Sequence, residues 1–316
     1  MKNKNNKSLA KVIGILLAFV IVAAGVLSIL KANSNNDTNV NQNVKIQTSI
    51  VSPSGAPSLS LIGLINDENV TLDYDVVDGP DVLMSEFTNA EKDFIIAPIN
   101  LGVKLINNGA PYKLLGVLTW GNLAVVSDGS ADINFAAFGE GSVPGVVFNK
   151  VKGNIEKDYQ YENYGSAQEV FSLLKSGKFH SGLLAEPLVT AITADGTFSK
   201  AYDIQELWEK ETGHSSYPQA AIFVSNKAHD SRTENVIEVA SKMKMNIESL
   251  NANPEGLQEA AGELDLATLG FGNVQLVSKA LPNMNVRFEY AKDVTEEIQA
   301  FLDLFKIELN DTTIVK

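Results

Sequence analysis

From about residue 44 onward the chain alternates short runs rich in Val, Ile, Tyr and Phe with stretches of helical periodicity. That alternation restricts it to the α/β class with mainly parallel sheets, because parallel strands need a crossover that is usually a helix. Strands are expected over 44–51, 69–77 and 93–97, with helices over 58–65, from Pro80, and over 101–108 up to Gly109. The segment "YKLLGVLTWGNLAVVS", 112–127, is extended for most of its length. The same grammar then repeats: strand 133–138, a glycine loop, a helix from about Val143, strand 159–165, and a helix capped by Ser166 and ended by Gly177. "FHSGLLAEPLVTAI" reads as strand, turn and helix, and "YPQAAIFVSN" as a second extended crossing. Long helical patterns cover 232–250 and 293–308, the latter with Val294, Ile298, Phe301, Leu302 and Phe305 on one face. Two similar blocks linked by two extended segments predict two lobes joined by two hinge strands. The first lobe takes 45–126, the second 127–217, and 218–316 returns to the first.

The N-terminus differs. Lys2, Lys4, Lys7 and Lys11 precede an uncharged apolar run over 12–30. As a helix that run spans roughly 29 Å, about the hydrocarbon thickness of a bilayer. Residues 1–30 are therefore expected to be a membrane anchor or a cleaved signal, with the lysines in the cytoplasm and everything later outside. The small residues of "VAAG", 22–25, keep cleavage open as the alternative. Residues 31–44 are rich in Asn and too polar to bury a core, so they read as a tether. Five lysines against Asp37 give the first 44 residues a charge of +4, which leaves −17 on the body out of a net −13. So acidic a body excludes nucleic-acid binding through a basic patch.

Cysteine is absent, which removes thiolate catalysis, disulfides and thioether lipidation. His180, His214 and His229 have no metal-ligand spacing, and neither an H-E-x-x-H nor a G-x-S-x-G motif occurs. "GEGSVPG", 139–145, misses the dinucleotide fingerprint because Pro144 stands at its third glycine. No cofactor or metal is expected. Arg232 and Arg287 are the only arginines, both outside the glycine- and proline-rich loops, so bidentate guanidinium recognition of an anion is not expected there.

Four segments, in this order and spacing, resemble the substrate-binding component of a bacterial ABC importer, in its nitrate/taurine/sulfonate and thiamine-precursor branch. They are "SPSGAPSLSLIGLI", "DFIIAPINLGVKLINNGAPYKLLGVLTWG", "AAFGEGSVPGVVFNKV" and "LLAEPLVTAI". The last is similar to the family's "WEP" turn, with Ala185 in place of the tryptophan. The resemblance implies a two-lobed periplasmic-binding-protein-like fold of type II that closes on a small ligand. It places Ser54, Gly55, Ala56, Pro98, Asn100, Thr119, Trp120, Gly141, Ser142 and Glu186 at the ligand.

Each position has a plainer reading beside the functional one. Ser54–Ala56 and the Ser58 hydroxyl suit a helix N-terminus that offers donors to a ligand, or an ordinary strand–helix turn capped by Ser58. Trp120 is a cleft wall or a core residue, Glu186 a ligand acceptor or a helix-dipole partner, Asn100 a ligand contact or a cap. A carboxylate at Gly55 is expected to leave stability almost unchanged, being electrostatically welcome at a helix start.

The function expected is an extracytoplasmic receptor on the outer face of the cell membrane. It would deliver a small metabolite, neutral or heterocyclic rather than sulfonate, to ABC permease and ATPase subunits. An exported enzyme on the same fold is the alternative. Glu140, Glu186 and serines offer it no histidine base. A signalling ectodomain is disfavoured because eleven residues cannot hold a cytoplasmic domain.

Overall fold

The extended runs assemble into two sheets in the computed structural model, which describes residues 45–316. The anchor or signal of 1–30 and the tether of 31–44 lie outside the described residues. Among the described residues no helix is long and apolar enough to cross a membrane.

The first sheet holds β1 (Ile46–Pro53), β2 (Val70–Val77), β3 (Phe94–Pro98) and β4 (Tyr112–Trp120). The second holds β5 (Leu123–Ser127), β6 (Asn134–Phe138), β7 (Gln160–Tyr164), β8 (Ser181–Ala185) and β9 (Ser199–Asp203). The chain then returns through β10 (Pro218–Ser225) and β11 (Val286–Tyr290). The strand orders are β11-β4-β10-β3-β1-β2 and β7-β6-β8-β5-β9. The core of each is the same: two parallel neighbours flank one strand, β1 in the first sheet and β6 in the second, and a crossing strand is inserted antiparallel, β10 against β3 and β4, β5 against β8 and β9. The two-lobed α/β architecture matches the expectation. The sheets themselves are mixed, because each crossing strand enters its lobe from the other and so runs against its neighbours.

Residues of the first sheet alternate between two covered faces, as period-two side chains must. Val51, Ile95, Val117 and Phe223 enter one core, which continues through Trp120 and Tyr217 into the second lobe. Ile50, Ile96, Leu118 and Ile222 enter the other, under the helix Thr233–Ala252. That helix buries Val236, Val239, Ala240, Met243, Ile247 and Leu250 at three- and four-residue spacings. Ser166 caps the helix Ala167–Lys175 by accepting from Glu169 N at 3.2 Å.

The first helix departs from the α-helix expected over 58–65. It is a 3₁₀ segment, Ala56–Leu61, followed by a single α-turn, Ile62–Ile65. The hydroxyls of Ser58 and Ser60 donate back to the carbonyls of Gly55 and Pro57, both at 2.7 Å. Such i−3 bonding competes with the α-helical ladder and holds the turn tight.

The lobes meet at Gly121. Its N–H donates to Tyr217 O at 2.9 Å, tying one crossing to the other, and Asn285 Nδ2 donates to Gly121 O and to Ser216 Oγ at 3.0 and 3.1 Å. A Cβ on Gly121 would lie 2.4 Å from the Tyr217 ring and 2.1 Å from Gln205 Oε1. Gly121→Ala is therefore expected to destabilise the protein by about 1–3 kcal/mol, as overpacking of a filled site does. Calorimetric melting reads this as a Tm several degrees lower; an unchanged Tm would mean the junction yields.

Candidate functional site

In an α/β sheet the crevice forms beyond the carboxyl ends of the strands, where neighbouring connections leave in opposite directions. Here both lobes point those ends at each other. Pro53 ends β1, Pro98 ends β3, Phe138 ends β6 and Ala185 ends β8, and all four line one cavity of about 420 Å³ between the lobes. The crossings supply its floor, with Thr119, Asn122 and Leu123 on one and Gln219 and Ala220 on the other.

Of the ten positions singled out above, Ser54, Gly55, Ala56, Pro98, Thr119 and Glu186 line this cavity. Asn100 and Gly141 lie instead in a separate groove of about 510 Å³, beside Lys104 and Lys306. Trp120 is 1% exposed and belongs to the core that runs between the lobes. Its indole N–H donates to Arg287 O at 3.3 Å, and the Arg287 guanidinium stacks 4.1 Å from the ring centroid. Burial holds that guanidinium below its ordinary pKa. Ser142 sits at the mouth of the helix Val143–Val151 and donates its hydroxyl to Gly139 O at 2.8 Å. Sequence reasoning did not reach Phe138, Pro144, Gly270 or Phe271, which also line the cavity. Phe138 closes a strand that periodicity had located, so it could have been found. Gly270 and Phe271 come from a segment more than two hundred residues away from β1, and no local pattern marks them.

The loops at the mouth spend their donors internally. Ser54 N, Gly55 N and Ser58 N donate to the carbonyls of Val77, Leu269 and Gly55 at 3.1, 2.9 and 2.9 Å. Pro57 has no N–H, which leaves Ala56 as the one amide of this loop without an internal acceptor among the described residues. Ser54 Oγ donates to Asp78 Oδ1 at 2.6 Å, and Ser58 Oγ also donates to Leu269 O at 2.8 Å. The expected row of free donors is thus used to fasten the loop to the segment ending at Gly270. The fit there is close: a Cβ on Gly270 would lie 2.8 Å from Gly55 N. The second loop behaves alike, with Gly139 O accepting from Ser142 N at 2.9 Å and Gly145 N at 3.2 Å.

Charge in the cavity comes from one side chain. Glu186 Oε2 accepts from Thr190 N at 3.0 Å, so the carboxylate caps the helix Leu188–Thr193 as a dipole partner while facing the cleft. Burial raises its pKa above the ordinary glutamate value, with the Thr190 contacts and Lys200 pulling the other way. Among the described residues no lysine, arginine or histidine lines the cavity. Arg232 is committed to Asp93 and to Gln47 O, and Arg287 to Asn285 Oδ1 at 2.6 Å.

Two outcomes follow for variants. Gly55 has φ 91° and ψ −149°, a region open essentially to glycine alone. Gly55→Asp is thus expected to cost about 1–3 kcal/mol of stability, against the sequence expectation of no change, and an unaltered denaturant midpoint would refute the strain. Glu186→Gln keeps an acceptor for Thr190 N and removes a charge whose pKa is raised on folding. Such a charge weakens the fold as pH rises past its ordinary range, so the variant's Tm advantage over the parent is expected to grow from acid to neutral pH. Paired melting scans at the two pH values decide it; a flat difference would show that Glu186 is not penalised by burial.

Comparison with known proteins gives the same architecture. No family profile and no curated protein matches the sequence. Among solved structures, an ABC transporter protein from Parabacteroides distasonis superposes with a TM-score of 0.74 at 19% identity, over 86% of this chain and 99% of that one. The periplasmic aliphatic sulphonate binding protein SsuA from Escherichia coli gives 0.62 at 11%, over 82% and 86%. The ligand-binding component of an ABC-type import system from Staphylococcus aureus gives 0.60 at 9%, over 86% and 97%. The fold is that of the binding proteins of ABC importers.

Proposed function

We propose that the protein is an extracytoplasmic receptor that captures a small metabolite between its lobes and delivers it to an ABC permease with its ATPase. One observation carries this reading: one cavity takes its walls from the strand ends of both lobes and its floor from the two crossings between the sheets. A ligand seated there touches both lobes at once, and its binding energy then favours whichever lobe arrangement makes the most contacts. Capture rather than turnover is supported by the side chains present. The lining hydroxyls of Ser54 and Thr119 have no histidine beside them, and Ser54 is committed to Asp78.

The ligand class in this reading is neutral or heterocyclic. Prolines, Phe138 and Phe271 offer apolar and ring-stacking surface, and a few polar groups orient the occupant. The aliphatic sulphonate named for the Escherichia coli neighbour would meet no cationic side chain among these lining residues and almost no free amide. The apolar run at 12–30 would hold the receptor at the outer face of the cytoplasmic membrane as an uncleaved anchor. Intact mass of membrane-extracted protein tests this, and a mature start at or after Gly25 would refute it.

Mass spectrometry of small molecules released on denaturing the purified full chain tests the receptor reading. An uncharged or nitrogen-heterocyclic compound is expected to co-purify, stoichiometrically and unaltered. Val143→Trp, at the half-buried rim of the cavity, is expected to lower affinity for that compound at least tenfold, about 1.4 kcal/mol. Conversion of the compound to a product would establish the enzyme reading instead, and full affinity in Val143→Trp would remove the cleft as the site.

A further inference from the structure

We propose that Glu140 of the second lobe is an electrostatic latch, which pairs with Lys306, beside Lys104, on the first lobe when the lobes close. This rests on the capture reading above and names the charges that set how readily the cleft shuts. The groove of about 510 Å³ that is separate from the cleft takes its lining from both lobes. Gly141 of the second lobe stands there against Asn100, Lys104, Phe305, Lys306 and Glu308 of the first.

On the second lobe, Ser142 N donates to Gly139 O at 2.9 Å and closes a turn with Glu140 and Gly141 at its centre. Gly141 has φ 76°, the left-handed value that glycine supplies at the third residue of a type II turn. Gly139 O also accepts from Ser142 Oγ at 2.8 Å and from Gly145 N at 3.2 Å, so the base of the turn is held while its tip is exposed. Glu140 occupies that tip between two glycines. On the first lobe, Lys104 and Lys306 are exposed, and Glu308 is the one carboxylate that lines the groove beside them. Glu140, Lys104, Lys306 and Glu308 form no salt bridge among the described residues. Two ammonium groups against one carboxylate leave the first-lobe side net positive, next to a turn that carries an unpaired glutamate. Lys306 has φ 56° and ψ 43° directly after the 3₁₀ turn Asp303–Phe305, a position where glycine is usual and another residue costs backbone energy. Its amide donates to Asp303 O at 3.1 Å and Ile307 N to Leu302 O at 3.2 Å, so ending the helix requires no side chain at 306. A strained, exposed and unpaired lysine is what favours a role for its charge. Closure narrows the gap that the groove spans, and the opposite charges attract within a Debye length, about 10 Å at 0.1 M salt.

The chain has no cysteine, so Gln168→Cys on the second lobe and Ser241→Cys on the first, both exposed, provide the only labelling sites. Nitroxide labels there report the interlobe distance distribution of the full chain by pulsed electron resonance. It is recorded in about 10 mM and about 1 M salt, where the Debye length is about 30 Å and about 3 Å. At low salt, Glu140→Gln is expected to lower the ratio of the short-distance to the long-distance population about 1.5- to fivefold, the range of an exposed ion pair. Lys306→Gly, which suits the backbone at that position, is expected to lower it likewise. The double variant Glu140→Gln/Lys306→Gly is expected to fall no further than Glu140→Gln alone, since both changes remove one interaction. At high salt parent and variants are expected to coincide. A distribution indifferent to salt and to Glu140→Gln, no effect of Lys306→Gly, or additive losses in the double variant would overturn the latch. Capture is read separately, from the co-purifying compound and from Val143→Trp. Failure of the latch alone leaves the cleft as the site, whereas failure of capture removes the cleft whatever the distances show.

Discussion

The contact at Gly121 holds the rest of the molecule in relation. Among the described residues two segments pass between the sheets, and there the backbone N–H of one donates to the carbonyl of the other, Gly121 to Tyr217. Asn285 adds a clamp from outside, donating to Gly121 O and Ser216 Oγ, and its own carbonyl accepts from Trp120 N at 3.0 Å. Trp120, Arg287 and Tyr217 are packed around this point. Any side chain on residue 121 would occupy the Tyr217 ring. Because both lobes hang from this junction, the cleft above it has a defined floor, while the strand ends that form its walls belong to separate sheets.

The chemistry of the cleft follows from how its mouth loops are held. A turn rich in Ser, Gly and Pro at a helix start suggests a cradle of amides for an anion. In this protein those amides bind the carbonyls of Val77, Leu269, Gly55 and Gly139, because the 3₁₀ turn after β1 is short and must be fastened to a distant segment. In the proposed receptor, recognition would then fall to surface shape, to Phe138 and Phe271, and to Glu186. Burial raises the pKa of that carboxyl.

Much of the architecture is legible locally. Near-continuous apolar runs in 93–97, 112–120 and 218–225 mark strands covered on both faces, and the spacing from Val236 to Leu250 marks a helix with one apolar stripe. The short strand Val286–Tyr290 and the helix Ile204–Thr212 drew no expectation. The first is five residues long, too few for period two to stand out, and the second begins directly where β9 ends, at Asp203, which serves both as strand end and as N-cap. Trp120 could be read from sequence as cleft or core with equal right, since a tryptophan before a glycine at the end of an apolar strand suits both. Its burial is decided by Arg287 and Asn285, residues from the far end of the chain.

The sequence by itself determined the α/β class, the two repeated blocks, the two crossings and the acidic body, because composition and periodicity are properties of neighbouring residues. Tertiary structure alone decided which polar groups of the cleft are spent on internal hydrogen bonds. Ser54, Ser58 and Gly55 have the same donors in any turn, but Leu269 and Gly270, more than two hundred residues later, take up or crowd them. Glu186 and Gln205 are ordinary surface residue types in the sequence, and they acquire an unusual environment only because β8, β9 and the Pro282–Asn285 turn close around them. Hydrogen-bond satisfaction and desolvation depend on every element that packs against a group, and that list does not exist until the chain has folded.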